Sequence, residues 1–363
     1  MCRARGTNTD NWPNASGRPI SCNGATRLSG NHGCAGKMRA GHMGGREIDA
    51  VIPVFNGEAY IAKALQSVQS QTLPVSRIIV ADDGSTDGTV RAVEDLMRTD
   101  DRITCLKLPH AGVSATRNAG IAASSAPFIA FLDADDIWLP EKLERQMEAF
   151  ERGGPETGFV HSSYFFIDAQ DGRLSDRNVV PPKQRGDIFM PLLLEGYVLS
   201  GSASSVVVRR DVLDRAGHFD ERLFHGEDWD LWIRLARISK VDFTPEAVVG
   251  IRVHDRSAQR RPAPERAIRF FRQHMLVYSK WEELTGGDRR FRESLRQRAV
   301  DAVLPVLRTP AEAAGFYRSL AADESALTRS IFRNALHFWL EVGSAVLGIL
   351  WRRMKRKAGL NDR

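Results

Sequence analysis

Cysteine is scarce: the 363-residue chain has four, Cys2, Cys22, Cys34 and Cys105. Their spacing fits no zinc pattern, so neither a structural zinc site nor a disulfide framework is expected. Free thiols in a reducing compartment are the expectation. A strong charge of one sign is also missing. The chain has 51 Lys and Arg against 45 Asp and Glu, a formal net charge of +6. Part of that excess sits in RRMKRK (352–357), so the balance is not read as a nucleic-acid footprint. No apolar h-region opens the chain, so a secretory signal is not expected, and the sequon Asn14-Ala15-Ser16 carries little meaning. No internal repeat of useful length is visible.

Residues 1–46 lack a hydrophobic period. They are rich in Gly, Asn, Ser, Arg and Thr, a composition that buries too little apolar surface to offset chain entropy. A disordered extension and a start misplaced upstream of Met43 both fit this segment.

From residue 48 the pattern changes to short apolar runs alternating with helical periods. Strands are expected at 48–56, from 77, at 103–108 and at 128–132; helices are expected at 58–71, 90–98 and 112–123. This alternation predicts an α/β fold with an open, mostly parallel sheet flanked by helices. Ligands of such sheets sit beyond the carboxyl ends of the strands. Further on the pattern loosens. Strands are expected at 159–167, 204–209 and 248–253, and a helix at 228–238. The resulting division is a catalytic-sized domain over 47–260, a charged helical extension over 261–330 and a terminal stretch over 331–363.

That last stretch shows Asn334, His337, Glu341, Ser344, Gly348 and Arg352 as one polar stripe on an otherwise apolar helix. Glu341 interrupts it, and it is too short for a span. An amphipathic helix with a basic end, lying in the plane of an anionic membrane surface, fits the pattern. Packing against the globular domain or a second subunit is the competing reading. The expected location is the cytoplasm, with peripheral contact at the inner face of the cell membrane.

The densest chemistry lies in FLDADDIWLP (131–140), where an apolar strand ends in Asp133, Asp135 and Asp136. Carboxylates crowd at such a place when water or a cation neutralises them, and a hard divalent ion holding a diphosphate is a natural candidate. Asp82 and Asp83 end the second strand in VADDGSTDGT; alone they would read as an acidic turn. Arg117 and Asn118 lie in GVSATRNAG, an arginine near a helix start that can reach a phosphate or orient a carboxylate. HGEDWDLWIRLA (225–236) places Glu227 and Asp228 at another helix start, where dipole stabilisation alone would also favour acids.

In order and spacing, IPVFNGEAYIAKALQSVQSQT, VADDGSTDGT, GVSATRNAGIAASSAPFIAFLDADD and HGEDWDLWIRLA resemble glycosyltransferase family 2, inverting enzymes with a GT-A fold. The resemblance spans about residues 48–257. It implies a nucleotide diphosphate sugar donor, a UDP-sugar foremost, and transfer of the sugar to an acceptor hydroxyl. Pro53, Phe55 and Glu58 would line the nucleotide pocket, Asp83 would accept from the base, and Asp82 would support that turn. Arg117 and Asn118 would lie by the donor. Asp133 would hold ribose or sugar hydroxyls, and Asp135 would bind Mg²⁺ or Mn²⁺. Asp228 would be the general base, with Glu227 beside it. Trp229 and Trp232 would wall the acceptor pocket or pack in the core. His254 would be a further metal ligand, and 254–264 a lid. The acceptor class is a sugar or lipid-linked acceptor in surface polysaccharide or glycolipid assembly.

Two rivals remain. A metal-dependent nucleotidyltransferase commonly has a basic Gly-rich loop near its start, whereas FNGEAY contains neither Lys nor Arg. A non-catalytic sugar-nucleotide-binding module would not need Asp133, Asp135 and Asp228 together.

Overall fold

A computed structural model of the chain describes residues 45–295, except 175–178, 183, 197–198, 200–201, 255–263, 286–287 and 292. The expectations for residues 1–44, for the 255–263 part of the lid and for everything beyond 295, including the amphipathic stretch, lie outside the described residues. Among the described residues no helix is long and apolar enough to cross a membrane.

The first half follows the alternation read from the sequence. Strand β1 (Ile48–Val54) is buried along its whole length, as a central strand covered on both faces must be. Its residues divide between the faces with period two: Val51 joins one apolar core, Ala50 and Ile52 the other. Parallel to β1 run β2 (Arg77–Asp82) on one side and β4 (Phe128–Phe131) on the other, with β3 (Ile103–Lys107) beyond β2. Helices α1 (Ile61–Gln69), α2 (Thr89–Met97) and α3 (Val113–Ala123) make the crossovers. Because β2 and β4 flank β1, the strand order switches there. This leaves a crevice beyond the carboxyl ends of β1 and β4, where α/β sheets bind ligands.

The second half makes the sheet mixed. Strand β5 is Ile137–Trp138, β6 is Thr157–Ile167, β7 is Val207–Arg209 and β8 is Lys240–Arg252. The eight strands are ordered β3-β2-β1-β4-β7-β6-β8-β5. Strand β7 is antiparallel to both β4 and β6, β8 is parallel to β6, and β5 is antiparallel to β8. The expected parallel sheet therefore covers β1 to β4.

Three helices, the two-residue β5 and half of β8 have no counterpart in the sequence reading. Helix α4 (Lys142–Gly153) buries Lys142 and Gln146 on its apolar face, which blurs its period. Helices α5 (Phe189–Glu195) and α6 (Arg210–Ala216) are two turns each. Strand β8 begins at Lys240, well before the expected 248. Pro245 and the charges around it conceal its first half, and the β6–β8 register shifts between Ser162 and Ser163 opposite that proline.

Helix α7 (Glu227–Ala236) buries Trp229 and Trp232 in the core on the α3 face of the sheet. Helix α8 (Pro264–Ser279) brings Phe271, Met275 and Tyr278 into that same core, with the Tyr278 ring 5.0 Å from that of Trp229. A short helix, α9 (Glu282–Thr285), follows.

Candidate active site

Beyond the ends of β1 and β4 lies a cleft of about 1140 Å³. Pro53 to Gly57 line it after β1, and Asp133 to Asp136 line it after β4. Arg117, Glu227 and the β8 end from Ile251 to His254 complete the polar part, with Phe224 and His225 at its side.

The loop after β1 is held by the loop after β2. Asn56 adopts a left-handed backbone (φ 52°), which asparagine tolerates better than most residues. Its N–H donates to Ser85 Oγ at 2.8 Å, and its Oδ1 accepts from Thr86 N at 2.8 Å. Glu58 accepts the Gly88 N–H at 3.1 Å, a contact so close that a Cβ on Gly88 would lie 2.2 Å from Glu58 Oε1. Glu58 thus ties two loops together and does not line the cleft, against the expectation.

Asp82 and Asp83 are buried and outside the cleft lining. Asp82 accepts from Ser85 N at 3.1 Å. Asp83 accepts the Ala111 and Gly112 amides at 2.7 and 3.0 Å, fixing the left-handed Gly112 (φ 95°) that starts α3. The carboxylate expected to meet a base is therefore already bound to backbone. Its side chain also lies 2.9 Å from His110 Nδ1, and the His110 ring sits 4.4 Å from the half-exposed Phe55 ring.

Helix α3 approaches β1 closely, since a Cβ on Gly120 would lie 2.4 Å from Val51 Cγ1. Arg117 and Asn118, one residue apart on this helix, point to different neighbours. Arg117 is buried and donates to Asp133 Oδ1 at 2.7 Å and to Glu227 Oε1 at 2.8 Å. Burial works against its charge, but the two carboxylates outweigh burial and raise the guanidinium's pKa. Asn118 does not enter the cleft. Its amide donates to Phe219 O and accepts Phe219 N, both at 2.9 Å, latching α3 to the loop that leads into α7.

At the start of α7, Gly226 takes a left-handed turn (φ 75°) and delivers Glu227 to Arg117. Next to it, burial and then the Glu227 charge push the Asp228 carboxyl up to about 7. A carboxyl poised there can accept a proton near neutrality. Trp229 lies fully inside the core, with Nε1 donating to Leu192 O at 3.0 Å, and Trp232 is buried with it. Neither tryptophan lines the cleft: of the two alternatives, acceptor wall or core packing, both take the core, so Trp229 is not an acceptor-side residue.

The acidic cluster after β4 has three distinct environments. Asp133 is held by Arg117, and its own N–H donates to Ser204 Oγ at 2.9 Å. Asp136 is buried, accepting Ser204 Oγ at 2.6 Å and the Arg252 N–H at 2.9 Å. Burial, with Asp135 and Asp133 nearby, pushes its carboxyl well above the usual range. Asp135 keeps a side chain 37% exposed, 3.0 Å from His254 Nε2. Its pKa is raised, by burial first and then by the Asp133 charge.

The sequence reading missed Ser204 and Arg252. Fully buried Arg252 donates to Asp135 O and Asp168 O, each at 2.7 Å, which locks the turn carrying the acids. Neither residue lies in a motif; they meet Asp136 only through the strand order.

Among the described residues no group of three or more His, Cys, Asp or Glu forms a metal cage. The Asp135–His254 pair nevertheless fits a divalent ion: one hard oxygen donor and one imidazole border the cleft, and a cation there would relieve the crowding that raises Asp135. Diphosphate oxygens and water would have to complete the shell.

Residues 49–215 match the family model described as Glycosyl transferase family 2. An uncharacterized glycosyltransferase of Rickettsia typhi is 29% identical over 213 residues, 57% of this chain and 64% of that protein. TuaG of Bacillus subtilis, named as a teichuronic acid biosynthesis glycosyltransferase, is 33% identical over 138 residues, 38% of this chain and 53% of that one. The alignment spans under two thirds of the length of each. Among solved structures, residues 1–349 of S. aureus TarS in complex with UDP-GlcNAc superpose with a TM-score of 0.57 at 17% identity, covering 76% of this chain and 80% of that one. That likeness shows a shared fold, the α/β arrangement with a helix-flanked mixed sheet. The family match thus covers under half of the chain.

Proposed function

We propose that this protein is a metal-dependent inverting glycosyltransferase. In this reading it transfers a sugar from a nucleotide diphosphate sugar, a UDP-sugar foremost, to an acceptor hydroxyl. One observation carries the reading: Arg117 joins Asp133, beside the Asp135–His254 pair, to Glu227, beside Asp228. The Asp135–His254 pair and Glu227 thereby border one cleft, with Asp228 the next residue along α7.

The roles follow from the chemistry of the groups. Asp133 accepts hydroxyls of the donor while Arg117 holds its Oδ1. Asp135 and His254 would hold Mg²⁺ or Mn²⁺, which when bound supplies charge neutralisation for the departing nucleoside diphosphate. Asp228, ionised above about pH 7, takes the proton of the attacking hydroxyl, so that attack and departure proceed in one displacement on opposite faces. Glu227 accepts from Arg117, and its charge adds to the burial that raises Asp228. Phe55 offers an apolar face at the cleft edge for the nucleotide.

The acceptor reading, assembly of a cell-surface polysaccharide or glycolipid, is supported by the printed name of TuaG and by the basic amphipathic pattern of 331–363. Peripheral attachment at the inner membrane face belongs to the same proposal. Cosedimentation of the full chain, but not of a chain ending at 330, with anionic phospholipid vesicles is the expected result; equal pelleting would remove it.

The catalytic reading is tested by a thermal-shift panel of nucleotide sugars with and without Mn²⁺, followed by detection of released nucleotide. One sugar nucleotide should stabilise the protein only with metal and yield nucleoside diphosphate on turnover. Release of pyrophosphate would point to nucleotidyl transfer instead.

A further inference from the structure

Phe224 is a large apolar side chain left 47% exposed on the cleft, beside the polar His225 and Glu227. Its exposure is not the fraying of a loose loop. The Phe224 N–H donates to Gln273 Oε1 of α8 at 2.9 Å, and the neighbouring Leu223 O accepts from Ser114 Oγ of α3 at 2.8 Å. The Arg269 guanidinium lies 5.0 Å from the Phe224 ring centroid. Phe270 lies 6.4 Å away and is itself stacked on His225 at 3.7 Å. The ring is therefore held from several sides in the loop that leads into α7, whose first residues are Glu227 and Asp228. Aromatic surface presented by a built loop inside a cleft is a recognition feature.

Resting on the glycosyltransferase reading above, we infer that Phe224 is the stacking platform of an acceptor subsite that takes a pyranose ring. A pyranose has one apolar C–H face and a rim of hydroxyls. The ring meets the first, while His225 and Glu227 border the same cleft with polar atoms for the second. An open-chain polyol has no flat apolar face and gains little from such a platform. The residues that would form this subsite lie beyond the 49–215 family match, and two of them, Arg269 and Phe270, lie on α8. Two residues that brace the platform would thus come from beyond the 48–257 resemblance.

The test uses the full chain with UDP and Mn²⁺. Saturation-transfer NMR is recorded with methyl glucopyranoside, methyl galactopyranoside and methyl N-acetylglucosaminide, and with ribitol as the open-chain control. At least one pyranoside should receive saturation on its C–H face while ribitol does not. Phe224→Ala should weaken that pyranoside about fivefold or more, and Phe224→Trp should retain it. UDP affinity by calorimetry should be equal in all three proteins. Wild-type protein that binds no pyranoside, ribitol that binds as well, or an alanine variant that binds pyranoside normally would each overturn the inference. Loss of UDP affinity in the alanine variant would do so too, by making Phe224 a nucleotide platform. Failure of wild type to bind UDP or any other nucleoside diphosphate would strike the glycosyltransferase reading itself.

Discussion

The two halves of the cleft are built by different kinds of contact. On the β1–β2 side the decisive bonds join loops about thirty residues apart: Asn56 to Ser85 across 29 positions, Gly57 to Thr89 across 32, Ala111 to Asp83 across 28. On the α7–β8 side they cross more than a hundred: Arg117 to Glu227 across 110, Arg252 to Asp136 across 116, His254 to Asp135 across 119. The first side is a set of neighbouring crossovers that organise themselves. The second exists only once the sheet is closed by β7 and β8. Chemistry confined to the first half could survive poor packing of the second, whereas proton abstraction could not.

The sharpest break of this contrast is at Asp228. Asp228→Asn should lower transfer by about a hundred- to ten-thousandfold while nucleotide binding stays intact. In the wild type, transfer should rise with pH through about 7, because the carboxyl must lose its proton before it can accept another. A flat profile between pH 5.5 and 8.5 would argue against this acid as the base.

Next comes the residue that belongs to both halves. Arg117→Met leaves Asp133 and Glu227 without their shared buried partner, and the loss should be about 3–5 kcal/mol in urea unfolding. Both donor binding and turnover should fall with it. A smaller effect is expected within the β1 half. Gly120→Ala drives a methyl into Val51 and should cost about 1–3 kcal/mol by thermal unfolding. Smallest is Asn118→Ala, which removes the two-way amide bond to Phe219 and should cost about 1–2 kcal/mol. Its diagnostic is selectivity: turnover should fall while nucleotide affinity stays at the wild-type value, because the loop that Asn118 latches leads to Glu227 and not to Phe55.

What could be read from the sequence follows the same division. The buried strands β1, β2 and β4 announce themselves as apolar runs, and the acids after β4 mark the cleft. Asp133, Asp135, Arg117, Glu227 and His254 all border it. Adjacent motif residues were harder to sort. Asn118 sits one position from Arg117 and Trp229 two from Glu227, yet helical geometry turns both away from the cleft, one to a loop and one to the core. Glu58, Asp82 and Asp83 look like ligand contacts in a list of polar residues, but the Gly-rich loops around them need their oxygens first. Ser204, Arg252 and Phe224 carry no local pattern, because their importance depends on which strand lies beside which.

Arg117 has one further consequence. A guanidinium that divides its hydrogen bonds between two carboxylates cannot respond to one without altering its hold on the other. On the proposed function, a donor hydroxyl drawn to Asp133 would compete with Arg117 for that oxygen and shift the cation's bonding toward Glu227, which in turn would adjust the field felt by Asp228. Occupancy of the donor site would thereby set how strongly Asp228 attracts its proton. Thermodynamic reciprocity requires the influence to run back with equal strength. A shift of the Asp228 titration on addition of nucleotide sugar, absent in the Arg117→Met protein, would be the signature of this conversation between the two substrates.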